Sequence, residues 1–139
     1  MDKSTFLSLI FLFLIGCSAK PKIPISESLE LALDTTYPKY VALLNSSADK
    51  DPKSLKGFLE IDYIGGTAGY DHGWMIIQLM RQWGDKDFSS ILETTTKSKQ
   101  LTIKNYIEVG AQGSNMRMMD SLMKDFPRSF KLLGFTGNR

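Results

Sequence analysis

Near its start the chain carries a long apolar stretch, interrupted only by Ser8, and then changes texture. Phe6, Leu7, Leu9, Ile10, Phe11, Leu12, Phe13, Leu14 and Ile15 form one run, and no charge returns until Lys20. A run of about ten residues falls well short of the roughly 20 that cross a bilayer as a helix, and matches the core of a signal peptide. Pro21 and Pro24 then favour extended chain over residues 18–25, which read as a tether. Beyond them the pattern is helical. Ser26 suits an N-cap, with Glu27 and Glu30 in the first turn, where the helix dipole favours acids. Leu29, Leu31, Leu33, Tyr37, Tyr40, Val41 and Leu44 follow, and Pro38 is expected to split the stretch. Asp51-Pro52 is a helix start, a capping acid followed by proline at the first helical position. Leu55, Phe58, Leu59 and Tyr63 share one face before Gly65-Gly66 ends it.

Thr67 is expected to cap the next helix, whose stripe is His72, Met75, Ile76, Leu79 and Trp83 at steps of three and four. Gly84-Asp85 breaks it, and Phe88, Ile91 and Leu92 belong to a short continuation. Ile103, Tyr106, Ile107 and Gly110 suggest another helix, although Leu101-Thr102-Ile103 also reads as a strand. Met119, Leu122, Met123 and Phe126 form the last long stripe. Pro127 interrupts it, and Phe130 and Leu133 finish at Gly134. Five to seven short helices with brief breaks predict an all-α domain over residues 26–139, either a compact bundle or a short array of helical hairpins. The helix–break–helix texture resembles HEAT-like hairpins, with no fixed-period repeat.

The end of the apolar run carries the most specific signal. Leu14-Ile15-Gly16-Cys17 is followed by Ser18-Ala19-Lys20, and Cys17 is the only cysteine in the chain. This resembles the lipobox of bacterial lipoproteins, where a small residue lets the signal peptidase reach the backbone beside the cysteine to be lipidated. The resemblance covers about the first eighteen residues. It implies a signal peptide over residues 1–16, removal before Cys17, and a covalent lipid on Cys17 as the membrane anchor, with residues 17–25 linking it to the domain. Several acyl chains on one cysteine hold durably, since each buried CH₂ contributes about 0.8 kcal/mol. Ser18, rather than aspartate, in the following position implies sorting to the outer membrane, facing the periplasm, if the host is Gram-negative.

Removing the leader from 139 residues leaves about 120, one ordinary domain with room for a hydrophobic core. The formal charge of +2 is too small an excess to argue for nucleic acid, and no basic stripe is visible, so no nucleic-acid partner is expected. With a single cysteine there is no internal disulfide, so stability must come from packing.

Chemistry-bearing residues are few. His72, the only histidine, would need Asp71 or Asp62 and a nucleophile such as Ser89 to act as a base. Asp71 points about 100° away around a helix, and His72 lies on the apolar stripe, so a packed histidine with one hydrogen bond is the expectation. Asp49-Lys50-Asp51 and Asp85-Lys86-Asp87 flank helix starts and read as caps rather than calcium ligands. Ile64-Gly65-Gly66-Thr67-Ala68-Gly69 lacks the lysine and preceding strand of a phosphate loop and reads as an inter-helix turn. No metal, cofactor or catalytic set is expected. Trp74 and Arg81, away from the His72 stripe, are of the types enriched in binding hot spots. Met116 and Met118 straddle the last stripe, and methionine recurs at partner surfaces.

The expectation is therefore a membrane-anchored lipoprotein that binds a protein, as an inhibitor or immunity protein against an envelope-targeting toxin. An accessory role in an envelope secretion or assembly complex is the alternative. A cell-wall hydrolase using His72 is the enzymatic reading.

Overall fold

A computed structural model describes residues 19–112 and 116–136, with Met116 described in its backbone alone. Cys17 and the leader lie outside these residues. Seven α-helices account for most of the described chain: α1 (Glu27–Leu33), α2 (Tyr37–Ala48), α3 (Pro52–Leu59), α4 (Gly66–Leu92), α5 (Lys97–Gln112), α6 (Met116–Asp125) and α7 (Pro127–Leu132). There is no strand among the described residues, and Leu101–Ile103, the segment that also read as a strand, lies inside α5. The chain is an all-α bundle.

Local chemistry sets most boundaries. The Ser26 hydroxyl accepts the Leu29 N–H at the start of α1, and the Asp51 carboxylate accepts the Ser54 N–H at the start of α3. A short 3-10 turn, Asp34–Thr36, separates α1 from α2, where Pro38 occupies the first turn and needs no N–H partner. Gly84, at φ 75° and ψ 161°, kinks α4 and separates its long first part from the turn that carries Phe88 and Leu92. The start of α4 differs from expectation. Gly65 takes the N-cap position and offers no side chain, and Thr67 lies inside the helix.

The core is one cluster. His72, Met75, Ile76, Leu79 and Trp83 are buried along α4, facing Leu55, Phe58 and Leu59 of α3 and Ile103, Tyr106 and Ile107 of α5. Helices α4 and α5 cross with their backbones touching. A Cβ added to Gly73 would stand 2.0 Å from the Tyr106 carbonyl oxygen, and one added to Gly110 would stand 2.4 Å from the Gly73 carbonyl carbon. Only glycine at both positions permits that approach. The far end is tied by Asp85, whose carboxylate accepts the backbone N–H groups of Arg128 and Ser129 at 2.9 Å each and the Ser129 hydroxyl at 2.8 Å. One side chain on α4 thus caps α7. Burial pushes its carboxyl up, but these hydrogen bonds outweigh burial and hold it below the ordinary value.

Two further differences concern the N-terminal stretch and Tyr63. Residues 20–25 do not stand off as a tether, because Ile23 is only 8% exposed and belongs to the core. The Asn45 side-chain amide accepts the Lys22 N–H at 2.7 Å and donates to the Lys20 carbonyl at 2.9 Å, while the Lys22 ammonium pairs with Asp49. Tyr63 does not continue the α3 stripe. That helix ends at Leu59, and Tyr63 stands in the following loop.

Candidate functional site

The loop between α3 and α4 is held from below rather than left slack. The Tyr106 hydroxyl on α5 accepts the Ile64 N–H at 2.7 Å and donates to the Asp62 carbonyl at 3.1 Å. One phenol therefore satisfies a backbone donor and an acceptor of the same loop, and its pKa is raised chiefly by burial. Lys99, also on α5, donates to the Glu60 carbonyl at 2.9 Å and pairs with the Asp62 carboxylate at 2.5 Å. Gly69 completes the seat. A side chain there would place its Cβ 2.6 Å from the Ile64 carbonyl oxygen, so the loop backbone lies directly on α4.

This fixed loop is a ridge between two concavities. On one side a groove of about 550 Å³ runs between the start of α4 and α5, lined by Tyr63, Gly66, Tyr70, Thr102, Asn105 and Val109 among others. On the other side a cleft of about 590 Å³ reaches Leu33, Tyr40, Leu43 and Gly57. Asp62, Tyr63, Ile64 and Gly65 border both. Tyr63 is 88% exposed on the ridge and Tyr70 is 46% exposed on the groove wall. The sequence reading missed both tyrosines. Tyr63 sat at the right spacing for a core stripe, and a loop held by a phenol from residue 106 has no local signature.

The residues singled out from the sequence are distributed as follows. Arg81 is exposed with its guanidinium 6.0 Å from the centre of the half-buried Trp74 ring, close enough for a cation–π contact. Tyr70, Trp74 and Arg81 follow steps of four and seven, so one face of α4 carries all three away from the ridge. Met118 is half-buried against the core, and the side chain of Met116 lies outside the described residues.

His72 has no exposed surface and lines neither concavity. Its Nδ1 shares a 2.8 Å hydrogen bond with the Tyr40 hydroxyl, its Nε2 has no hydrogen-bond partner, and the rings of Tyr40, Phe58 and Tyr106 surround it. Burial pushes its pKa down to about 3, so the ring is neutral. The carboxylates that catalysis would require are engaged elsewhere. Asp71 accepts the hydroxyls of Ser26 and Ser28 at 2.5 and 2.6 Å, and Asp62 pairs with Lys99. The Ser89 hydroxyl donates to the Lys86 carbonyl at 2.9 Å. No three His, Cys, Asp or Glu residues gather as a metal site among the described residues. The ridge and its groove wall present the exposed Tyr63 and Tyr70 beside a loop backbone fixed from α5.

No protein-family model, curated protein or solved structure matches this chain.

Proposed function

We propose that this chain is a lipoprotein anchored through Cys17 that works by binding another protein in the cell envelope, as an inhibitor or immunity protein does. The observation that carries the binding half is the Tyr63 ridge. An aromatic side chain 88% exposed on a loop fixed by Tyr106 and Lys99, between two concavities, is poor economy for stability alone. Tyrosine and arginine are the residue types that anchor interfaces, and a preformed surface loses little entropy on binding. Trp74 and Arg81 extend the same surface along α4. The anchoring half is supported by the Leu14-Ile15-Gly16-Cys17 motif at the end of an apolar leader.

The test places a photoreactive amino acid at position 63 of the full chain in living cells, with exposed Leu31 as a control position. Cross-linking from position 63 should give a discrete adduct that is absent from position 31. Tyr70→Ala or Arg81→Ala should weaken the partner's affinity by roughly thirtyfold, the effect of losing about 2 kcal/mol at a hot spot. His72→Gln should leave the adduct intact. Identical products from both positions, or loss of function in the folded His72 variant alone, would sink the binding reading. The adduct's identity separates a toxin or hydrolase from a component of an assembly machine.

A further inference from the structure

The docked N-terminal stretch determines which end of the domain can meet a membrane. Asn45 grips the backbone on both sides of Pro21, accepting from Lys22 and donating to Lys20. Only Ser18 and Ala19 separate Lys20 from Cys17, so the gripped backbone lies within about 11 Å of the Cys17 Cα even at full extension. Asn45 itself stands near one end of the bundle. Two residues on, the Ser47 carbonyl accepts the Trp83 indole N–H at 2.8 Å, and Lys50 donates to the Gln82 carbonyl with its ammonium 5.1 Å from the centre of the Trp83 ring. The grip is therefore level with the end of the long first part of α4.

The Tyr63 ridge stands at the other end of that helix, beside Gly66. From Gly66 to Trp83 the rise is about 26 Å at 1.5 Å per residue. The docked stretch runs along most of that length, from Lys20 beside Asn45 to Ser26, whose hydroxyl meets Asp71, about 18 Å of helix from Trp83. Lys20, where the docked stretch begins, consequently stands at the Trp83 end.

We propose that, on the bilayer, the domain stands on the end formed by Asn45–Lys50 and Gln82–Trp83, with the Tyr63 ridge held about 25 Å from the lipid surface. The lipid headgroup layer is the partner of the lower end, and the ridge is turned to whatever arrives from the aqueous side. This rests on lipidation of Cys17, and it adds an orientation that the lipobox alone does not specify. A free tether would let the domain tumble and bury the ridge against lipid for part of the time. A grip close to the anchor prevents that without any contact between the ridge and the membrane.

The experiment uses the full lipidated protein in vesicles of phosphatidylethanolamine and phosphatidylglycerol that contain a trace of acceptor-labelled headgroup. A fluorescent amino acid is placed at Gln82 or at Thr67, both exposed and both on α4. Mass spectrometry of the N-terminal peptide comes first. An unacylated Cys17 overturns the anchoring and this proposal together, and that failure is identified before any fluorescence is read. With acylation present, energy transfer from Thr67 should be at least about twofold below that from Gln82, given roughly 22 Å of helix between them. Inserting a flexible Gly-Ser segment between Ala19 and Lys20 should erase the difference. Equal transfer from the two positions in the native chain overturns the orientation while leaving the anchor standing. A difference that survives the insertion shows that the short tie is not its cause, and overturns the proposal equally.

Discussion

His72 shows how one side chain couples the core to solution conditions. Its pKa falls from 6.5 to about 3 on folding because burial excludes the charged form. The unfolded chain therefore binds a proton that the folded chain refuses, and stability falls as pH drops through that window. The contribution is complete above about pH 6.5 and drains away towards pH 3, with a slope approaching 1.4 kcal/mol per unit. Asp51 and Asp85 are both held below the ordinary carboxylate value of 3.8, Asp51 chiefly by its bonds from Ser54, so their own losses come at lower pH. Urea unfolding of the soluble domain at pH 7, 5.5 and 4.5 should show the midpoint falling at each step, and His72→Gln should flatten the trend. A wild-type midpoint constant over that range would mean the ring stays hydrated enough to charge in place. Much of this was legible beforehand. The position of His72 on the stripe with Ile76, Leu79 and Trp83 implied burial, and burial implies a neutral ring. Its partner Tyr40, 32 residues away on α2, was not legible, because nothing local links the two.

Among the helices, the α4–α5 crossing positions the candidate site, since Tyr106 reaches the loop only if α5 lies against α4. Gly73 and Gly110 make that approach possible. Each alanine methyl would meet backbone, which cannot rotate away as a side chain can. Gly73→Ala and Gly110→Ala should each cost at least the 1–3 kcal/mol typical of overpacking, and they should loosen the loop by withdrawing Tyr106. The contrast is Gly57, inside α3, where an added Cβ stands 3.4 Å from the Leu43 Cδ2. There alanine should be neutral or stabilising by up to about 1 kcal/mol, through helix propensity. Thermal melts of the three variants, with amide exchange at Ile64 as a reporter of the loop, check both halves. Similar melts for all three would mean that the close crossing is not a constraint. Helix spans and the Gly84 kink followed from spacing and breaker residues, because those signals are local. The Asp85 cap on α7 and the Tyr106 brace on the loop join residues more than 40 apart, and no pattern of polar and apolar positions encodes them. Tyr63 failed for a related reason, since α3 stops at Leu59 and spacing counted past a helix end has no meaning.

Taken as one body, the domain begins earlier than its first helix. The buried core of the described residues extends from Ile23 on the docked stretch to Leu133 after α7. Two prolines in a short stretch read as a tether because proline rules out helix, yet extended chain also lies well in a furrow between helices. What decides between them is Ile23, at 8% exposure, together with the Asn45 amide that matches the backbone on both sides of Pro21. The stretch therefore contributes to stability, and trimming should reveal it. A soluble chain starting at Ala19 should melt like the full mature protein, since the lipid sets location and the core starts later. A chain starting at Ser26 loses the burial of Ile23, which contributes about 1.5–3 kcal/mol for a large aliphatic side chain. It also loses both Asn45 bonds, whereas the exposed Lys22–Asp49 pair adds little. Its melting midpoint should fall by on the order of 10 °C for a domain of this size. Calorimetry of the two soluble chains at one protein concentration is the measurement. Equal midpoints would mean that residues 20–25 only lean on the surface, and an orientation fixed by their grip would lose its physical basis.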